Sequence, residues 1–430
     1  MLDDLDYVTG PGDIAPLDHH DLLPWLRLSQ EPGVGLAGAM ALVTAAGSPQ
    51  ALYTLPHSRL MHYVSPAIAA RMAGPVPKAV SDEAARMLAW RDQDSMRHIL
   101  TVHDPRYPAA LLTLPDPPLL LYAIGQLPWL QRPSIAIVGA RNATAVGRDN
   151  AHAFSAHLAM QGWCVISGLA RGIDAAVHAG AMAAGTSCGT VAVLGTGIDL
   201  VYPAANRPLA ESIQAQGAIL SEMPLGTPPL RHHFPRRNRL VAGLSRGVLV
   251  VEAARQSGSL LTARLAAEYG REVFALPGSI HSPLSRGCHA LIRDGAKLVE
   301  TAEDIVEELG QPGEGRMFMR MALDAAGAGD AVDAGDTVDA GDPGVAQSGF
   351  DFAGAAPIRV SAQATQPIHD AILQALGFEA THLDTLVARS GMDVAAVQAC
   401  LLDLEFGGLI SREDGGRFQR RARPGAPGLE

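Results

Sequence analysis

Residues 134–141 read Ser-Ile-Ala-Ile-Val-Gly-Ala-Arg, a short apolar, β-branched run that ends in glycine and a cation. The spacing behind it predicts a helix over about residues 146–161. Further apolar runs of this kind lie at residues 164–167, 190–194, 218–221, 247–251 and 272–276. Such runs, alternating with helical stretches, are typical of right-handed βαβ crossovers and of a parallel sheet buried on both faces. The sequence therefore predicts an α/β fold with an extended Rossmann-like, doubly wound, mostly parallel sheet.

The composition divides the chain into four parts around this sheet. Residues 1–90 fit small helices, which predicts an N-terminal helical domain of SAM-like or helix-hairpin-helix-like type, and residues 97–310 contain the predicted sheet. Gly, Ala, Pro and Asp dominate residues 311–364, which predicts a disordered acidic linker. Three short helices and a hairpin over residues 365–424 predict a winged-helix domain.

The roles of the two end domains stay open at this point. Gly33-Val34-Gly35 resembles a phosphate-binding helix-hairpin-helix turn, but a helical interaction module is the favoured interpretation. The third helix of the winged-helix domain carries Asp393, Asp403 and Glu405 and no basic residue, which argues against binding in a DNA major groove. A protein partner fits this domain better, as do weak DNA contacts of the wing. The wing arginines are Arg412, Arg417, Arg420 and Arg421.

The net charge of −11 is unevenly distributed. Seven Asp residues and no Lys or Arg lie between Met321 and Asp351. In contrast, four arginines lie within nine residues of each other: Arg231, Arg236, Arg237 and Arg239. Because a polyanion responds to the local field, the overall acidity does not exclude a nucleic-acid partner.

The location and redox state follow from what the sequence lacks. The N-terminus is acidic where a secretory signal is basic, and no run of membrane-spanning length is free of charge or proline. We therefore expect a cytoplasmic protein without a membrane segment. The cysteines lie far apart and form no CxxC pair, which predicts unpaired thiols instead of disulfides or a zinc site. They are Cys164, Cys188, Cys288 and Cys400.

Common catalytic and cofactor motifs are missing. The chain has no Gly-Lys-Ser/Thr triplet of a Walker loop, no GxSxG elbow and no HExxH metal motif, and Gly195-Thr196-Gly197 lacks the third glycine of a dinucleotide fingerprint. We therefore predict no catalytic residues, no metal site and no cofactor.

Glycine, serine and arginine gather instead at the predicted strand ends, in residues 139–141, 167–172 and 256–262. Glycine lets a phosphate approach backbone N–H groups, serine adds hydroxyl donors, and arginine grips phosphate with two hydrogen bonds or stacks on a base. Phe234 lies beside the arginine cluster of residues 236–239. Such a rim is suited to a flexible, single-stranded polyanion bound without sequence preference.

Several of these stretches form a recognisable set. They are Gly139-Ala140-Arg141, residues 167–174, Tyr202-Pro203, residues 237–241, Ser257-Gly258-Ser259 with Thr262-Ala263, and Leu276-Pro277-Gly278, preceded by residues 104–108 and by Leu121-Tyr122 with Gly125. Their order and spacing resemble the DNA-processing protein A (DprA, also called Smf) family over about residues 20–310.

The resemblance implies a cytoplasmic, non-catalytic homodimer that binds and protects incoming single-stranded DNA (ssDNA). It also implies loading of the recombinase RecA during natural transformation or DNA recombination. Gln256 stands where some members have a lysine, which removes one candidate phosphate contact. The rim and the resemblance together give the candidate DNA-binding residues Gly139, Arg141, Ser167, Gly168, Arg171, Gly172, Arg237, Asn238, Arg239, Ser257, Gly258, Ser259 and Thr262.

The alternative hypothesis is a Rossmann-like, nucleotide-handling enzyme of the phosphoribohydrolase type. That family carries a Pro-Gly-Gly-x-Gly-Thr-x-x-Glu loop, and the equivalent place here, residues 251–259, lacks it. Glu252 would be the acid to test in such an enzyme.

Overall fold

A computed structural model describes residues 17–185, 189–312, 366–377, 380–407, 409–413 and 416–420. The chain forms two compact units, Met1–Pro312 and Gly313–Glu430. The predicted linker lies outside the described residues from residue 313 onward, as do Cys188, the tip of the wing at residues 414–415 and Arg421.

Six helices lie between residues 17 and 96, the described N-terminal part of the first unit. They are α1 (His19–Ser29), α2 (Leu36–Ala46), α3 (Pro49–Thr54), α4 (His57–Leu60), α5 (Pro66–Ala73) and α6 (Lys78–Arg91). Asp18 caps the N-terminus of α1, where its carboxylate accepts a hydrogen bond from the Asp21 N–H at 2.8 Å. The Trp90 ring of α6 meets the Tyr122 ring of the sheet edge-on, with centroids 5.7 Å apart. The helices and the sheet therefore share one hydrophobic core.

The sheet of the first unit has nine strands. They are β1 (Arg97–Thr101), β2 (Leu120–Gly125), β3 (Ser134–Val138), β4 (Cys164–Ser167), β5 (Thr190–Val193), β6 (Ala218–Ser221), β7 (Gly247–Val250), β8 (Glu272–Ala275) and β9 (Lys297–Leu298). Their order is β1-β2-β6-β5-β4-β3-β7-β8-β9. The pairs from β6 to β9 along this order are parallel, and β1 and β2 form an antiparallel edge. The predicted mostly parallel, doubly wound sheet is confirmed.

Seven further helices cover the two faces of the sheet. They are α7 (Ala145–Met160), α8 (Ile173–Ala183), α9 (Arg207–Gln216), α10 (His233–Leu244), α11 (Gly258–Glu268), α12 (Arg286–Arg293) and α13 (Ala302–Leu309). Alternate residues of β3 enter different cores, with Ile135 and Ile137 in one cluster and Ala136 and Val138 in the other. A strand buried on both faces needs apolar residues at nearly every position, which explains the continuous apolar run at residues 135–138.

The strand order reverses between β3 and β7. From β3 the chain proceeds outward through β4, β5 and β6, and it then returns to place β7 on the other side of β3. Loops on the two sides of such a reversal diverge and leave a crevice at the carboxyl ends of the strands.

The second unit has the winged-helix order. It consists of α14 (Gln366–Leu376), β10 (Thr381–His382), α15 (Leu383–Ser390), α16 (Val394–Phe406), β11 (Ile410–Glu413) and β12 (Arg417–Arg420), with strands paired β10-β12-β11. Gly391 caps the C-terminus of α15 in the left-handed conformation, with φ 65°. Asp393 caps the N-terminus of α16, where its carboxylate accepts a hydrogen bond from the Ala396 N–H at 3.0 Å. The predicted three helices and hairpin are confirmed.

No single described helix is long and apolar enough to cross a membrane; only α15 and α16 taken together reach that length and composition, and they are bent by 111°.

Candidate functional site

A cleft of about 840 Å³ opens where the strand order reverses. Its walls come from residues 139–142 after β3, from the first turns of α10 and α11, and from single residues of two other segments. These are Gly168, Ala170 and Asp174 after β4, and Ala254 and Ser257 after β7. We call it the switch-point cleft. Parallel sheets of this type bind ligands at this place, because backbone N–H groups of helix starts converge there.

The outer rim of the switch-point cleft combines a cation with two aromatic rings. The Arg141 guanidinium lies 5.3 Å from the centre of the Phe234 ring, and the Tyr202 ring lies 5.8 Å from Phe234. Arg141 is exposed and makes no side-chain hydrogen bond or ion pair within the described part of the chain. It is therefore available to a phosphate or to the face of a base.

Arg237 lies beneath this rim and is 5% exposed. Its Nη1 donates to the carbonyls of Gly168 at 2.5 Å and Val193 at 2.6 Å. A Cβ at Gly168 would lie 2.0 Å from that nitrogen, so only glycine leaves room for the guanidinium. Arg237 thus holds the loop after β4 in place, and it also lines the cleft.

A buried carboxylate, Asp174, faces Arg237 in the same cleft. Burial raises the pKa of Asp174, while Arg237 and the N–H groups of Ala170 and Gly168 oppose that rise by stabilising the anion. Burial likewise lowers the pKa of Arg237, and Asp174 opposes that change. The two buried charges offset each other.

The start of α11 forms the opposite wall. The Ser257 hydroxyl accepts from the Ser259 N–H at 3.3 Å and lies 2.6 Å from the Ser259 hydroxyl. The Asn238 amide donates to the Gly258 carbonyl at 3.3 Å, and Thr262 lines the wall one turn further along. A helix start with hydroxyl donors is suited to bind an anion.

Comparisons with family models and with known proteins show which family the chain belongs to. A family model described as DNA recombination-mediator protein A matches residues 98–310, and another described as the DprA winged helix domain matches residues 356–416. The protein Smf of Synechocystis sp. is 39% identical over 344 residues, covering 76% of this chain and 81% of that protein. This chain belongs to the DprA/Smf family. The resemblance predicted from the sequence motifs is confirmed.

Two other family members show the same relation. The protein Smf of Escherichia coli is 38% identical over 336 residues, covering 78% of this chain and 80% of that protein. The X-ray structure of DNA processing protein A (DprA) from Streptococcus pneumoniae is similar with a TM-score of 0.55 at 34% identity, covering 68% of this chain and 99% of that chain.

Nine of the thirteen candidate residues come together in the switch-point cleft: Gly139, Arg141, Gly168, Arg237, Asn238, Ser257, Gly258, Ser259 and Thr262. Ser167 is fully buried and donates to the Ile137 carbonyl at 2.7 Å, which joins β4 to β3. Arg171 is exposed but does not line the cleft. Ser167 therefore supports the sheet beneath the cleft, and Arg171 lies outside its walls.

Arg239 is turned away from the cleft into a buried ion pair with Glu222, and it also donates to the Asp116 carbonyl at 2.7 Å. The Glu222 side chain is only 2% exposed, and it also pairs with Arg236 at 3.0 Å. The predicted basic cluster is thus partly neutralised by one acid at the end of β6, which leaves Arg231 as its exposed member in the cleft wall.

Gly172 is another candidate residue that lies just outside the cleft walls. Its φ is +78°, and a Cβ there would lie 2.3 Å from the Ala140 carbonyl. Gly172 therefore lets the loop after β4 pack closely against the loop after β3, which carries Arg141.

Asn206 is a site-supporting residue that the sequence motifs did not indicate. Its amide donates to the carbonyls of Leu169 at 2.9 Å and Ala170 at 3.2 Å. Leu169 is a non-glycine residue with positive φ, at 56°, so the loop needs outside support to keep this conformation. Asn206 lies 37 positions after Leu169 in the chain, so no local sequence pattern indicates this contact.

Proposed function

We propose that this protein binds ssDNA in the switch-point cleft without sequence preference and without catalysing a reaction. The observation that carries the proposal is the exposed Arg141, which lies over an aromatic ring and across the cleft from the hydroxyl-rich start of α11. Phosphates fit the cation and the helix start, whereas bases fit the aromatic faces. Unpaired bases can reach those faces, and bases stacked inside a duplex cannot.

The thirteen candidate residues divide into two proposed roles. Arg141, Asn238, Ser257 and Ser259 present donors to the cleft and would contact the DNA directly, with Arg171 extending the path beyond it. The remaining candidates shape the loops and helix that hold those donors; they are Gly139, Ser167, Gly168, Gly172, Arg237, Arg239, Gly258 and Thr262.

Fluorescence anisotropy with labelled oligo-dT and a matched duplex, repeated across a salt series, tests the proposal. We expect tighter binding of oligo-dT, with an affinity that falls as the salt concentration rises. Arg141→Ala should weaken binding and flatten the log–log salt slope by roughly 0.7, the value for one phosphate contact on a single strand. Arg264→Ala removes an exposed cation from α11 outside the cleft and is the matched control. Equal effects of the two substitutions, or equal binding of duplex, would contradict the assignment.

The resemblance to the family extends the proposal to partners and location. We propose a cytoplasmic homodimer that protects incoming ssDNA and loads RecA in natural transformation or recombination. Light scattering measures the oligomeric state. A RecA strand-exchange assay on ssDNA coated by a single-strand-binding protein measures loading, and no stimulation by the wild-type protein would contradict that part.

The geometry does not favour the phosphoribohydrolase alternative. The Glu252 carboxylate accepts from both the N–H and the hydroxyl of Thr144, and it does not belong to the cleft lining. Incubation with nucleoside monophosphates tests the non-catalytic proposal directly, since base release that disappears in Glu252→Gln would overturn it.

A further inference from the structure

The crevice between β3 and β7 is where doubly wound sheets hold the phosphates of a mononucleotide or dinucleotide, at the start of the helix that follows the first strand. In this protein that helix is α7. A side-chain carboxylate, that of Glu252, lies at its start. Its oxygens accept from the Thr144 N–H at 2.9 Å and from the Thr144 hydroxyl at 2.6 Å.

The fit around this carboxylate is close. Thr144 begins α7, and its hydroxyl also accepts from the Gly147 N–H at 2.9 Å. A Cβ on Gly147 would lie 2.4 Å from the Glu252 carboxyl carbon, so a glycine in the first turn makes room for the acid. The positive end of α7 is therefore already occupied by a negative charge of the protein.

A second interior anion position is filled in the same way. In the loop after β4, Leu169 has φ 56°, and the N–H groups of Gly168 and Ala170 are directed to the Asp174 carboxylate, with 3.2 Å to Ala170. Successive N–H groups in such a turn form a concave anion site. Asp174 takes that site while also lining the cleft beside Arg237.

We propose that Glu252 and Asp174 are specificity-determining residues that exclude mononucleotides and dinucleotides. Asp174 acts from the wall of the switch-point cleft, and Glu252 acts from the start of α7, next to the cleft-lining loop that contains Asn142. Their carboxylates take the two inner anion positions and repel a third anion there. The start of α11 and Arg141 remain, further out, for the phosphates of a polynucleotide. This inference rests on the proposed ssDNA function and names the ligand class that the same cleft rejects.

The test is direct binding of ADP, measured by isothermal titration calorimetry on the full chain. Glu252→Ala vacates the position at α7, and Asp174→Asn neutralises the second one while keeping an oxygen acceptor. We expect each variant to bind ADP at least about tenfold more tightly than the wild type, because one unit charge a few ångströms from a phosphate is removed from a weakly solvated site. Glu252→Gln, which keeps an oxygen acceptor for Thr144, should gain less.

Glu268→Gln is the matched control, since it removes one exposed negative charge at the far end of α11. Circular dichroism and the thermal midpoint report folding. The inference would be overturned if Glu252→Ala and Asp174→Asn both fold and bind ADP no more tightly than the wild type or the control. If Glu252→Ala does not fold, no gain in both Glu252→Gln and Asp174→Asn would overturn it. Oligo-dT binding by the wild type separately tests the proposed function, so the two failures are distinguishable.

Discussion

Replacing Arg237 with alanine should destabilise the first unit strongly, because this arginine is a structural element of the site. The substitution leaves the carbonyls of Gly168 and Val193 without their donor and removes the nearby positive charge that opposes the burial of the Asp174 carboxylate. Each hydrogen bond from a charged donor contributes about 1.5–3 kcal/mol. Losing two such bonds therefore costs about 3–6 kcal/mol in total. We expect a loss of that size in the free energy of unfolding.

Thermal unfolding followed by circular dichroism measures this loss, and the midpoint should fall by roughly 5–15 °C. Arg141→Ala is the control, since Arg141 is exposed and its removal should change stability by less than about 0.5 kcal/mol. Adding Asp174→Asn to Arg237→Ala should recover part of the loss, because the buried carboxylate that Arg237 no longer offsets is then neutral. A midpoint for Arg237→Ala within a degree of the wild type would refute this structural role of Arg237.

Three further predictions address stability and the shape of the site. Gly172→Ala should lower the free energy of unfolding by at least about 1–3 kcal/mol and weaken oligo-dT binding, because a Cβ at φ +78° would meet the Ala140 carbonyl. Gly258→Ala is the control, since its Cβ would enter open space and should leave the melting midpoint unchanged or higher. Asn206→Ala should weaken oligo-dT binding without flattening its salt slope, because it releases the loop after β4 but removes no phosphate contact. Burial lowers the pKa of His178 to about 3, so between about pH 6.5 and 3 only the unfolded chain takes up this proton. The free energy of unfolding should therefore decrease by up to about 1.4 kcal/mol for each unit by which the pH is lowered in that window. His178→Asn should reduce this pH dependence in a series of denaturation measurements.

The contrast between Arg237 and Arg141 also bears on how binding variants are interpreted. Both arginines line the switch-point cleft, but only Arg141 extends into solvent without a hydrogen bond to the described chain. Weaker DNA binding by Arg237→Ala would mix lost contacts with a damaged loop. Arg141→Ala is therefore the cleaner probe of the DNA contact.

The sequence alone determined the main elements of the fold, because they depend on local patterns. Each apolar run at the start of a βαβ unit became a strand, and the predicted ends differ by at most one residue, as at Val193 and Val250. A parallel strand buried on both faces must be apolar throughout, so its pattern is visible without neighbours. The strand ends likewise placed Gly139 and Arg141 at one rim.

Only the tertiary structure decided which charges are free. Arg237 and Arg239 look alike in the sequence, yet Arg237 is bonded to carbonyls from two strand ends, and Arg239 is paired with Glu222. The role of Asn206 and the carboxylate of Glu252 at the start of α7 were equally hidden. Hydrogen-bond partners in these cases lie 17 to 108 positions apart, and the chain brings them together only when the sheet is assembled. Local spacing fixes which residues reach the rim, whereas the charge of the cleft depends on these long-range partners.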